Sequence, residues 1–83
     1  MYYGPFPQTT NAYHKDGSGN EYFGEASKGA ATHMPRWKIF QIQYTGVNWL
    51  VVFPVDSTTG KASDAPKFIW NDVEGYQYRE LGC

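Results

Sequence analysis

Four short words, in which aromatic and β-branched residues alternate with polar ones, constrain this chain more than any other feature. They are Tyr22-Phe23-Gly24-Glu25-Ala26, Trp37-Lys38-Ile39-Phe40-Gln41-Ile42-Gln43-Tyr44, Trp49-Leu50-Val51-Val52-Phe53 and Phe68-Ile69-Trp70-Asn71-Asp72. A period of two sends successive side chains to opposite faces of a strand. Stretches rich in Gly, Asn, Asp and Pro separate the words and supply turns. The pattern predicts an all-β fold: a small antiparallel sheet, sandwich or barrel-like. No segment carries an apolar stripe at helical spacing between caps, and no long internal repeat is present.

The central word sets an expectation for its two faces. Phe40, Ile42 and Tyr44 share one face with Lys38, and Trp37 and Ile39 share the other with Gln41 and Gln43. Both faces therefore carry apolar surface, which suits a thin sandwich or an oligomer. Thr45-Gly46-Val47-Asn48 reads as a hairpin connection, with Gly46 free to adopt positive φ. The following strand spans residues 48–55, and Pro54, which lacks an N–H, is expected at an edge or a bulge. Residues 56–66 read as a polar loop and residues 67–71 as another strand. Asp72-Val73-Glu74-Gly75 turns the chain, so that residues 76–79 pair back. The expected core is Trp37, Ile39, Phe40, Ile42, Leu50, Val52, Phe68 and Trp70.

Residues 1–20 differ in character. Pro5 and Pro7 hold their predecessors extended, and Asp16-Gly17-Ser18-Gly19-Asn20 is a turn cluster. This segment reads as an extended N-terminal arm joined to a small antiparallel β-domain at residues 21–83. It carries Tyr2, Tyr3, Phe6 and Tyr13, whereas solvated tails are poor in aromatics. An aromatic arm packs on something, either its own domain or a neighbour.

The chain has 83 residues and a net charge of −1, and a domain this small buries a modest share of its surface. Its single Cys rules out an internal disulfide, and it lacks a metal-ligand cluster in sequence, so burial against a partner is the remaining source of stability. The seven Lys and Arg residues are scattered, which argues against nucleic acid as a partner, since that needs a clustered positive field. The longest apolar run, Trp49 to Phe53, is far too short to span a membrane. Residues 1–7 have neither a basic region nor an apolar core, so synthesis in a cytoplasm without general export is expected.

Candidate chemistry is sparse. His14, His33 and Cys83 lack metal-ligand spacing, and no pair of carboxylates is singled out for acid–base work. The Asp16–Asn20 cluster lacks the later Glu and the flanking helices of a calcium loop. The expectation is a non-enzymatic protein without catalytic residues, cofactor or metal. Exposed Trp and Tyr rings could instead form a sugar-binding platform, which makes a carbohydrate-binding module the alternative. The expected assembly interface comprises Tyr2, Tyr3, Phe6, Tyr13, Trp49 and Trp70. Cys83 at the terminus is a candidate for an intermolecular disulfide.

Tyr22-Phe23-Gly24-Glu25-Ala26 with the loop through Thr32, then Trp37-Lys38-Ile39, then Phe68-Ile69-Trp70-Asn71-Asp72 and Tyr76 to Tyr78, resembles a pattern in small all-β virion structural proteins of tailed bacteriophages. The likeness covers residues 21–79, although Ser57-Thr58-Thr59-Gly60-Lys61 replaces the acidic, Gly- and Asn-rich stretch that usually precedes the Trp. The resemblance implies a virion component of the capsid decoration, neck or tail-fibre-associated type, made in the host cytoplasm. Its partners would be other copies of itself, as a homo-oligomer, and other virion proteins.

Overall fold

The computed structural model describes residues 9–83. Strands run over β1 (Thr9–Lys15), β2 (Glu21–Ser27), β3 (Pro35–Thr45), β4 (Asn48–Asp56), β5 (Lys61–Ala62), β6 (Phe68–Ile69) and β7 (Tyr78–Arg79), with a 3-10 helix, η1 (Trp70–Gly75), between the last two. All pairings are antiparallel, and the strand order is β1-β2-β3-β4-β5, with β6 added to β3 and β7 to β4. The all-β antiparallel expectation therefore holds, with the seven strands in one sheet.

β1 corrects the expected arm. Residues 9–15 are a regular strand, paired with β2 over seven consecutive positions from Thr9↔Ser27 to Lys15↔Glu21. The segment lacked large alternating apolar residues because Thr10 and Ala12 supply its inner side. Residues 16–20 form the turn. Asp16 Oδ1 accepts the amides of Ser18 and Asn20 at 2.9 and 3.0 Å, which closes the bend locally. Tyr2, Tyr3 and Phe6 lie outside the described residues.

The register sorts the sheet into two faces. Thr10, Ala12 and His14 line up with Tyr22, Gly24 and Ala26, then with Trp37, Ile39 and Gln41, then with Val52. This inner face holds the core of Tyr22, Ala26, Trp37, Ile39, Phe68 and Val73. Gly24 on β2 makes room there for two indoles. A Cβ at Gly24 would stand 2.6 Å from Cε3 of Trp70 and 3.0 Å from Cε3 of Trp37.

The last third of the chain covers this face. β6 pairs with the start of β3 through Pro35↔Ile69 and Trp37↔Phe68. Trp70 then stacks obliquely on Trp37, with centroids 5.9 Å apart, and Val73 is buried from η1. Two phenols fasten the cover: Tyr76 accepts the Ile69 amide at 2.8 Å, and Tyr78 donates to the Val73 carbonyl at 2.6 Å. Two expectations are corrected. The predicted strand over residues 67–71 is only two residues long and gives way to η1. The returning segment pairs with β4, through Phe53↔Arg79 and Pro54↔Tyr78, and not with β6.

Pro54 does not end its strand. β4 pairs with β3 only as far as Val52↔Gln41, then with β7 at Phe53 and Pro54, then with β5 at Val55 and Asp56. The missing N–H falls where the ladder changes partners. The Pro54 carbonyl accepts the Ser63 amide at 3.0 Å, and the ring is fully buried.

Candidate functional site

The outer face carries the other half of the alternation. Tyr13 on β1, Phe23 on β2 and Phe40 on β3 are register neighbours, and Phe53 follows on β4. Their rings form a continuous row across four strands. Tyr13 meets Phe23 edge-on at 5.2 Å, Phe23 and Phe40 stack at 5.1 Å and 19°, and Phe40 lies 6.3 Å from Phe53. Ile42 and Val51 are paired beside the row, as are Tyr44 and Trp49 near the β3–β4 hairpin. Tyr13 is 54% exposed, Tyr44 49% and Trp49 63%, while Phe23, Phe40, Ile42, Val51 and Phe53 are half-buried. No described element covers these side chains as the C-terminal third covers the inner face.

One carboxylate organises the row's upper side. Glu21 Oε2 accepts from the Tyr13 hydroxyl at 2.5 Å, and its Oε1 accepts from Tyr44 at 2.6 Å. These bonds tie β1, β2 and β3 together across the open face. Donation from Tyr13, then from Tyr44, holds the Glu21 carboxyl below its usual range. The same bonds raise both phenols, because an ionised phenol could no longer donate. At the other end, Asn11, Glu25 and Lys38 flank Phe23 and Phe40 around a concavity of about 340 Å³.

The expected interface residues separate in space. Tyr13 and Trp49 lie exposed on the outer face. Trp70 does not join them, because it packs over Gly24 and against Trp37 on the inner side. Of the expected core, Trp37, Ile39, Val52 and Phe68 are buried, and Leu50 is 44% exposed near the hairpin tip. Tyr22, Ala26, Val73 and Pro54 are core residues that alternation alone did not single out. Phe23 and Phe53, whose positions in the strand words were visible, complete the aromatic row.

Other polar groups serve the fold. Asp16 Oδ2 accepts from the buried Tyr22 hydroxyl at 2.7 Å; burial first, and this bond second, push the Tyr22 phenol up to about 12. Asp56 accepts from Lys67 at 2.5 Å and from the Thr58 amide at 2.9 Å, which ties the turn after β4 to the stretch before β6 and lowers the Asp56 carboxyl. His14 contacts Glu74 across to η1. Among the described residues no group of three His, Cys, Asp or Glu could hold a metal ion, and no helix is long and apolar enough to cross a membrane. The Cys83 thiol is exposed. Its main chain is tied down, however: its carbonyl accepts the Ala62 amide at 2.8 Å and its amide donates to Glu80 at 3.0 Å.

The chain matches no family model, no curated protein and no solved structure.

Proposed function

We propose that this chain is a non-enzymatic assembly protein whose outer aromatic face is its contact surface. The observation that carries this reading is the row Tyr13–Phe23–Phe40–Phe53 with Ile42, Val51, Tyr44 and Trp49 beside it. Contiguous apolar surface of this kind, rimmed by charged groups, marks interaction sites on soluble proteins. Aromatic residues dominate the buried centres of such interfaces. The resemblance to small phage virion proteins supplies the setting: a structural component of a virion, bound to copies of itself or to a capsid, neck or tail protein. Packing this face on a second sheet would form a sandwich between chains. Tyr2, Tyr3 and Phe6 would add their rings to the assembly contact, and Cys83 would form an intermolecular disulfide on an oxidising exterior.

The geometry favours this reading over sugar binding. A sugar platform needs ring faces open to solvent. Two nearly parallel rings 5.1 Å apart overlap, so Phe23 and Phe40 turn faces to each other and edges outward. Trp49 and Trp70 cannot act together, because they lie on opposite faces of the sheet.

The test is the chain's fate during assembly. In purified particles it should be a stoichiometric component, and Trp49→Ala combined with Val51→Lys should keep the fold and lose incorporation. Absence from particles, or unchanged incorporation of a folded double variant, overturns the reading. Non-reducing electrophoresis of particles should place Cys83 in a higher-mass band that collapses on reduction.

A further inference from the structure

The two ends of the sheet are finished differently. At one end, β5 is covered by the chain's own terminus: Ala62 donates to the Cys83 carbonyl at 2.8 Å, and Gly82 donates to Ala62 at 3.2 Å. At the other end, β1 pairs only with β2 among the described residues. β1 is a seven-residue edge without Pro and without a bulge in its register. Natural edge strands are usually protected by such devices or by charge. Its charged residue, Lys15, stands at the very end, and His14 is engaged with Glu74 of its own chain.

Which main-chain groups face outward follows from two independent anchors. Asp16 donates to the Asn20 carbonyl at the mouth of the first hairpin. Antiparallel bonding alternates, so Thr10, Ala12 and His14 bond to β2. Gly46 and Val47 form a two-residue loop, with Gly46 at φ 64°, and such loops are flanked by a hydrogen-bonded pair, here Thr45↔Asn48. Alternation carried from that pair through β3 and β2 gives the same result. The N–H and C=O groups of Thr9, Asn11, Tyr13 and Lys15 point away from the sheet.

We infer that β1 pairs antiparallel with β1 of a second copy, about a twofold axis at Ala12. This register overlaps all seven residues. Outward residues then meet outward residues, Asn11 opposite Tyr13 and Thr9 opposite Lys15, and no like charges face each other. Because the copies are related by a twofold normal to the sheet, their outer faces lie on one side. The two Tyr13 rings become diagonal neighbours, within reach of each other at about 7–8 Å. The aromatic row then runs unbroken from Phe53 of one copy to Phe53 of the other. The interface is isologous and closes at two. It stands on the backbone edge and does not depend on what the aromatic face contacts.

Sedimentation equilibrium and amide exchange on the full chain test this pairing. The mass should be twice the 9.4 kDa of one chain, falling to that of one chain on dilution. Asn11→Pro deletes an outward N–H at an edge position where proline is tolerated, and should leave a folded monomer. In the unmodified protein, the Asn11 and Tyr13 amides should be protected in the dimer and exposed on dilution, while Thr10, Ala12 and His14 stay protected throughout. This exchange pattern decides the matter even if the proline variant fails to fold. A chain monomeric at all concentrations overturns the inference. So does a folded Asn11→Pro dimer, or an oligomer whose Asn11 and Tyr13 amides exchange freely; that last outcome would leave the aromatic face as the contact.

Discussion

Both faces of the sheet carry aromatic side chains, and they meet different fates. On the inner face, Ala12 and Gly24 are small, and β6, η1 and β7 fold over Trp37 and Ile39 to close a core. On the outer face, the matching positions are Tyr13, Phe23 and Phe40, and the chain has no further described element to lay over them. Aromatic content alone therefore does not mark a core. What decides is whether the opposing chain and the small residues beneath it leave room for a cover.

That contrast can be broken by substitution. The largest expected effect is at Trp37, which is 2% exposed and donates through Nε1 to the Ala31 carbonyl at 3.1 Å. Trp37→Ala should cost about 3–5 kcal/mol, read by urea denaturation, and in a domain this small should leave little folded protein. Trp49→Ala on the outer face should change stability by no more than about 0.5 kcal/mol. Equal losses for the two would erase the distinction between the faces.

Gly24→Ala is the next test. Its Cβ would meet two indoles that are themselves packed, so strain of about 1–3 kcal/mol is expected. A neutral effect in thermal denaturation would mean that Trp70 is free to move, and that the inner cover is looser than the contacts describe.

On the outer face, Phe40→Ala removes the ring stacked on Phe23. A loss of about 0.5–1.5 kcal/mol is expected from the pair beyond simple area, with a larger proportional loss of association. If stability fell as far as in Trp37→Ala, Phe40 would be a core residue in function.

The smallest effects come from titration, where acid loosens the Glu21 carboxylate on the outer face and alkali loosens the Tyr22 phenol on the inner face. Glu21 has a lowered carboxyl, so its contribution is complete above its ordinary value of 4.5 and is lost as pH falls through the folded value. Inner-face Tyr22 has a raised phenol, so its contribution is complete below 10 and is lost as pH rises toward about 12. Glu21→Gln should flatten the acid limb of stability against pH, and Tyr22→Phe the alkaline limb. Exchange of these two effects would reverse the assignment.

Much of the local structure was legible in the words themselves. The β2, β3 and β4 strands, the Gly46 turn and the face carrying Trp37 and Ile39 follow from period-two alternation and turn chemistry, both of which act over a few residues. β1 was not legible, because an edge strand with Thr10 and Ala12 on its buried side shows no apolar alternation. The small residue that Trp70 requires beneath it is Gly24 on the neighbouring β2, set by a side chain far along the chain. Residues 70–75 carried no helical stripe, since two short 3-10 turns broken at Asp72, with only Val73 buried, are too short to need one.

The sequence by itself determined that this chain makes antiparallel strands and that both faces of the central ones carry apolar groups. Only the tertiary structure decided which face became the core. β7 returns to β4 at Pro54, β6 takes the start of β3, and Trp70 is thereby carried over Gly24. That choice depends on steric fit between residues more than forty positions apart, which no local pattern records. It turns one aromatic face inward and leaves Tyr13, Phe23, Phe40 and Phe53 facing out.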